Sequence, residues 1–259
     1  MAAVASAFDS AATGYDIGFT RTAIGAAMRS AVWARCAARF PAGSHILEMN
    51  CGTGEDALWL AGRGIAVLAT DVSPAMLQIA ANKLAAAPAP AAVRFERLAW
   101  EDLESFAAGP FDGVLSNFGG LNCVADLKAA ARALGPKMRA GATAILCIMG
   151  PVVPWEWVWF LGHGDPRRAF RRLRRGGARW SGITIHYPSI ATTRRAFRPQ
   201  FRVSRVSALG ALLPPPYIEK WIGRHPRTLA ALDRLERRFE TRWPLPQLAD
   251  HYVIELERV

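Results

Sequence analysis

His45-Ile-Leu-Glu-Met-Asn-Cys-Gly-Thr-Gly-Glu-Asp-Ala-Leu-Trp-Leu60 is the stretch whose reading decides the fold. Its apolar run has strand propensity, breaks at a turn holding Gly52 and Gly54, and resumes with helical spacing at Ala57, Leu58 and Ala61. Strand, glycine turn and helix in that order set the free N–H groups of a helix N-terminus beneath the turn, where they favour an anionic or electron-rich ligand edge. Glycine suits the turn because a side chain would hold a ligand off the backbone, and because glycine tolerates positive φ.

A second apolar run, Ile65 to Thr70, ends in Asp71. In an open parallel sheet, an acid at the tip of the second strand sits beside the first glycine turn and can accept both hydroxyls of a ribose. The pair therefore reads as a nucleoside site. A dinucleotide fingerprint needs G-x-G-x-x-G, whereas the chain offers Glu48-x-Asn50-x-Gly52-x-Gly54, and no phosphate-binding lysine follows as a P-loop requires.

These residues resemble the class I S-adenosylmethionine-dependent methyltransferases of the broad small-molecule "type 11" kind. The family's first motif is like Leu47-Glu-Met-Asn-Cys-Gly-Thr-Gly54 and its second like Thr70-Asp-Val-Ser-Pro-Ala-Met-Leu77, and the likeness covers roughly residues 41–150. The resemblance implies that Glu48 faces the methionine amino group, that Gly52 and Gly54 admit the methionine part, and that Asp71 holds the ribose hydroxyls. Cys51, Val72 and Met76 lie inside the same motifs and count among the cofactor positions. Asn50 stands where the family usually has its first glycine, a departure eased by the tolerance of Asn for unusual φ. A segment like Ala7-Phe-Asp-x-x-Ala-x-x-Tyr-Asp16 folds over the cofactor in the family, which makes Tyr15 a lid candidate beside its plainer reading as a helix anchor.

The 259 residues suit one domain with a large insertion, and 51% hydrophobic content is ample for a buried core. No apolar run reaches the ~18 residues of a membrane span. The start lacks a basic segment followed by an apolar one, so no secretory signal is expected. Cys36, Cys51, Cys123 and Cys147 are scattered without a C-x-x-C pair, which fits reduced cytoplasmic thiols and neither a disulfide frame nor a zinc site. Charge is uneven: residues 1–150 hold 12 Lys+Arg and 12 Asp+Glu, and residues 151–259 hold 20 and 9. A methyl-donor site needs no such field, so the excess concerns a substrate, a partner or a surface.

The chain continues as alternating elements. A helix is expected over Ala23–Arg39, a Ser73-capped helix to about Ala87 with a stop at Pro88-Ala-Pro90, and a third strand over Val93–Ala99. At its tip stand Trp100, Glu101 and Asp102, where the resemblance implies the adenine with an acid for its exocyclic amine; a helix-capping acid is the competing reading. Phe111–Asn122 is a fourth strand with a polar, glycine-rich tip at the switch point, so Asn117 and Phe118 flank the cofactor and Asn117 or Asn122 reaches the substrate. Asp126–Met138 reads as a helix, Thr143–Met149 as the fifth strand, Gly182–Tyr187 as a strand, Ile190–Phe197 as a short helix, Phe201–Leu209 as the sixth strand, Tyr217–Glu240 as one helix and Asp250–Glu257 as the closing strand. The expected architecture is α/β, a doubly wound, mostly parallel seven-stranded sheet of the Rossmann-like methyltransferase kind. Its segments are an N-terminal helical lid (1–40), a cofactor half (41–150), a basic and aromatic insertion after the fifth strand serving as substrate cap (151–200), and a C-terminal completion (201–259).

The insertion opens with four aromatics in Pro154-Trp-Glu-Trp-Val-Trp-Phe-Leu161, followed by Asp165–Arg175. On a helix, Phe170 and Leu173 would share a face flanked by Ala169, with six arginines on the remainder. A solvated basic helix, a cap over an acidic substrate and contact with an anionic membrane are the open readings; no nucleic-acid docking motif is present. The function expected is methyl transfer from S-adenosylmethionine to a small or lipid-like, acidic acceptor at oxygen or nitrogen. A hydroxyl acceptor benefits from a general base, for which His163 is the first candidate, ahead of Tyr187, His186 and His251. A nucleotide-dependent oxidoreductase and a non-catalytic interaction protein are the alternatives.

Overall fold

The computed structural model describes residues 2–87 and 92–259, so the expected stop at Pro88–Pro90 lies outside the described residues. Among the described residues nine strands form: β1 His45–Met49, β2 Ala66–Asp71, β3 Val93–Arg97, β4 Phe111–Ser116, β5 Met138–Met149, β6 Ala178–Trp180, β7 Ile183–Ile185, β8 Phe201–Leu209 and β9 His251–Arg258. Seven make one sheet in the order β3-β2-β1-β4-β5-β9-β8, and β6 and β7 pair as a separate hairpin. β1 to β5 are parallel neighbours, while β9 runs antiparallel to both β5 and β8. The strand order reverses between β1 and β4, and this switch point is where such sheets open a ligand crevice. Register sets what faces it: Met49 pairs with Thr70 of β2 and with Ser116 of β4, so Asn50, Asp71 and Asn117 emerge together at one edge.

Helices cover both faces, as a parallel sheet requires. They are α1 Ala2–Tyr15, α2 Ala23–Arg39, α3 Glu55–Ala61, α4 Pro74–Ala85, α5 Leu127–Leu134, α6 Pro154–Gly162, α7 Pro166–Ala169, α8 Ile190–Phe197, α9 Glu219–Ile222, α10 Pro226–Phe239 and α11 Leu245–Leu248. One face buries Leu47, Met49, Leu134 and Phe197, the other Ile24, Val32, Ile46 and Leu60. α4 begins as its sequence predicts, Ser73 Oγ accepting the Met76 N–H at 3.1 Å with proline in the first turn. Among the described residues no helix is long and apolar enough to cross a membrane.

Three expected helices change. α5 stops at Leu134, because Gly135-Pro136 turns the chain into β5, which starts at Met138 rather than Thr143. The single helix over Tyr217–Glu240 is divided into α9 and α10, since Pro226 has no N–H to continue α9 and starts α10 instead. The basic helix over Asp165–Arg175 is one turn, α7, then a 3-10 turn at Arg171–Leu173. It breaks because Arg172 is pulled inward to a buried ion-pair network, and tertiary pairing overrides local helical spacing.

Candidate active site

At the switch point the edge of the sheet encloses a cavity of about 60 Å³. Asn50, Gly52, Asp71, Val72 and Met76 line it from the first two strand tips, Asn117, Phe118, Gly120 and Cys123 from the β4 tip, and Val4, Phe8 and Tyr15 from α1. The Gly52 and Ser73 N–H groups each donate to one oxygen of Asp71 at 2.9 Å. These bonds fix the carboxylate while leaving each oxygen a further lone pair for a ribose hydroxyl. Burial nevertheless raises the Asp71 pKa above the ordinary value.

Asn50 adopts a left-handed φ of 61°, a region Asn enters more readily than most residues. Its Oδ1 accepts from Trp100 Nε1 at 2.7 Å and Ser116 Oγ at 3.3 Å. Gly120 makes room for this amide, since a Cβ there would lie 2.2 Å from the Asn50 side chain. Gly54 differs from the expectation: it does not line the cavity, and its absent side chain serves packing, a Cβ meeting Ala80 at 2.8 Å and Phe95 at 3.0 Å. Cys51 also turns away, into the core beneath the turn. Glu101 and Asp102 are a correction as well, because the 3-10 turn over Trp100–Asp102 buries the indole and leaves both acids exposed outside the cavity.

α1 is pinned over the cavity by two acids that sequence reasoning missed. Asp9 Oδ1 accepts from Ser73 Oγ at 2.6 Å and from the Ala75 N–H at 3.1 Å, so α1 caps the first turn of α4. Asp16 accepts from Thr53 Oγ1 on the glycine turn at 2.7 Å and pairs with Lys83 at 2.7 Å. Tyr15 thus faces the cavity from the cover, with burial pushing its hydroxyl up to about 12.

Behind the turn, Asp56 accepts from Arg29 at 2.6 Å, Trp33 Nε1 at 2.6 Å and Asn117 Nδ2 at 2.9 Å. Arg29 in turn lies over the Phe118 ring, 4.8 Å from its centre. Glu48 is 1% exposed and its Oε2 has no partner. Burial, and then the neighbouring Asp56 charge, push its pKa well above the carboxylate range. Arg29 is paired with Asp56, and Glu48, on β1 outside the cavity lining, has no cation of its own; a cation brought beside it would favour its ionised form.

A second cavity of about 440 Å³ shares Phe8, Phe118 and Cys123 with the first. Arg168, Arg171 and Arg179 line it, with Trp180, Tyr187 and Tyr217. Glu156, 2% exposed, anchors this wall: its Oε1 accepts from Arg171 at 2.6 Å, Arg172 at 2.8 Å and Tyr217 OH at 3.2 Å. Arg172 also pairs with Asp250. Burial would raise the Asp250 carboxyl, but the Arg172 and His251 charges outweigh it and hold the carboxyl far below its usual range.

Tyr187 belongs to this second cavity. His163 does not: it is exposed, lines neither cavity, and its Nδ1 is taken by the Trp159 carbonyl at 2.7 Å. Asn122 is likewise unavailable to a substrate, its amide clipping β5 to the segment after β7 through Met149 and His186 backbone groups. His251 is buried at the start of β9, edge-on to Phe118.

Residues 46–138 match the family model described as a methyltransferase domain. Among solved structures, a S-adenosylmethionine-dependent methyltransferase from Mesorhizobium loti is 21% identical, with 90% of this chain and 99% of that one covered and a TM-score of 0.61. Magnesium protoporphyrin IX methyltransferase from Synechocystis PCC 6803, solved with bound S-adenosylhomocysteine, is 14% identical over 91% and 83%, with a TM-score of 0.58. The [4+2]-cyclase SpnF is 17% identical over 90% and 80%, also at 0.58. Such likeness concerns the fold. No curated protein matches the chain.

Proposed function

Because the chain belongs to the class I S-adenosylmethionine-dependent methyltransferases, we propose that it methylates a small acidic acceptor with an aromatic or other planar body, held in the arginine-lined cavity. The observation that carries this reading is the pair of adjoining cavities. One presents a ribose-type acid, with the buried, unpartnered Glu48 on the strand that leads to it; the other presents three guanidiniums among aromatic rings. When bound, S-adenosylmethionine supplies a methyl group on an already electrophilic sulfonium, so the protein's part is alignment, electrostatics and the acceptor's proton. Asp71 would hold the ribose, Glu48 the ammonium group, and Asn117 and Phe118 would bound the reacting end. Arg168, Arg171 and Arg179 favour the ionised form of an acidic hydroxyl, lowering its pKa and reducing the need for a base. Tyr187 remains the candidate to accept that proton, while His163 is not carried forward. The 1–40 lid, 41–150 cofactor half, 151–200 cap and 201–259 completion are part of the same reading, as is a reducing, cytoplasmic setting for the four unpaired cysteines.

Calorimetric titration with S-adenosylmethionine and S-adenosylhomocysteine tests the donor side, with micromolar binding expected. A methyl-transfer screen of acidic aromatic metabolites then tests the acceptor side, with uncharged analogues expected to fail. Binding of neither cofactor by folded protein would overturn the reading in favour of the non-catalytic alternative. A lipid-like acceptor is favoured by one further observation: Trp155, Val158 and Leu161 form an exposed stripe on α6, with exposed arginines at 167, 168, 174 and 175 nearby in the chain. Co-sedimentation with phosphatidylglycerol vesicles but not with phosphatidylcholine vesicles is the result it requires.

A further inference from the structure

A third cavity, about 460 Å³, lies between the start of α5, the chain after α7 and α8. Tyr187 belongs to its wall and to that of the acceptor cavity, yet none of the three acceptor-cavity arginines reaches it. Its own cations are Lys128 from α5, Arg174 from the chain after α7, Arg195 from α8 and Arg172. Arg172 is neutralised by Glu156 and Asp250. Among the described residues Lys128, Arg174 and Arg195 have no carboxylate within ion-pair distance, whereas Arg202 on the neighbouring sheet edge has one in Glu257. The acid of the cleft, Asp126, is already committed. Its Oδ1 accepts the Lys128 and Ala129 N–H groups at 2.9 Å each, capping α5.

Three guanidinium or ammonium groups lining one concave space repel one another, and their summed field favours an anion there. Asp126 offsets at most one of the three charges, and a hydroxyl and an imidazole, Thr192 and His186, line the same space. A singly charged chloride would satisfy little of this donor set, whereas a phosphate-type oxyanion offers several acceptor oxygens to lysine and arginine at once. We propose that this cleft is a binding site for a phosphate or pyrophosphate group, separate from the cavity that takes the methylated end of the acceptor. The site does not depend on the methyl-transfer reading, because its test is a binding measurement.

The full chain, saturated with S-adenosylhomocysteine, is titrated with inorganic pyrophosphate and with orthophosphate at fixed ionic strength. One saturable site is expected. The double variant Lys128→Gln/Arg195→Gln should weaken it at least tenfold, and Arg227→Gln/Arg234→Gln on the exposed face of α10, which removes the same charge, should not. Unchanged circular dichroism and melting temperature show that both variants are folded. Absence of saturable binding, or equal loss in the α10 control, overturns the proposal by reducing the effect to net charge. A phenyl phosphate titration separates the two sources of such a group. If it binds more tightly than orthophosphate and loses that advantage in Trp180→Ala, the oxyanion is carried by a ligand that continues into the acceptor cavity; equal affinity identifies a free oxyanion.

Discussion

The walls of the two cavities hold their carboxylates in different ways. At the first, in residues 1–150, Asp71 is held by the backbone N–H groups of Gly52 and Ser73 and Asp9 by that of Ala75, although Asp56 behind the turn takes Arg29. At the second, in residues 151–259, Glu156 is held by Arg171 and Arg172 and Asp250 by Arg172, although Glu236 elsewhere in this part accepts from the backbone N–H groups of Gly210, Leu212 and Leu213. Each half also leaves groups without an ionic partner. The first leaves Glu48; the second leaves Arg168 and Arg179 without a carboxylate among the described residues. Under the proposed function, a cationic donor and an anionic acceptor would complete the two halves, and the excess charge of the second half would be the complement of the acceptor.

The largest effect expected is in the second half. Arg172→Met removes the buried cation that Glu156 and Asp250 share, leaving Glu156 with Arg171 and Asp250 with His251, and should cost about 3 kcal/mol in urea unfolding at neutral pH, with the Glu156→Gln/Arg172→Met double variant recovering part of the loss. Because the Asp250 pKa is depressed in the folded chain, its stabilisation is present above the unfolded value near ~4 and disappears as pH falls below it. The gap between wild type and Arg172→Met should therefore narrow toward pH 3; a constant gap would show that packing, not charge, holds this wall.

In the first half, Asp71→Asn should weaken S-adenosylmethionine binding by about 1–3 kcal/mol, read by calorimetry, through loss of charge-assisted hydrogen bonds; unchanged affinity would sink the ribose assignment. Glu48→Gln sharpens the contrast through pH. A carboxyl whose folded pKa is raised destabilises the fold once pH exceeds its unfolded value, so the variant should match wild type near pH 4 and exceed it in stability at pH 8. Cofactor affinity should rise with pH in wild type as Glu48 ionises, and stay flat in the variant.

Smaller effects are expected at the edges of the comparison. Arg168→Gln/Arg179→Gln should raise KM for the acidic acceptor about tenfold while leaving cofactor affinity and melting temperature unchanged. Asn50→Gly relieves a left-handed side chain but abandons the Trp100 indole N–H, and the two opposed terms should leave stability within about 1 kcal/mol of wild type. A large gain in cofactor affinity would instead mark Asn50 as an obstruction.

The cofactor half was legible because its constraints are local. The glycine turn, the acid ending β2 and the Ser73-Pro74 helix start each lie within a few residues, and strand alternation then fixes which tips meet. The completion to seven strands with one running antiparallel was expected from the family resemblance, and the sheet has that form. Glu101 misled because sequence distance from a strand tip does not say which way a 3-10 turn faces. His163 misled because a histidine between apolar and glycine residues reads the same whether it is in a cavity or on a surface. Glu156, Arg172 and Asp250 are far apart in sequence and meet only in the fold, so no spacing announces them, and the arginine run looked like a helix face for that reason.

Phe8 lines both the cofactor cavity and the acceptor cavity, on a helix that Asp9 and Asp16 pin at two points. One displacement of α1 therefore unseals both compartments together. Under the proposed function, exchange of spent cofactor and release of methylated product would then share one gate, held shut by two acid latches.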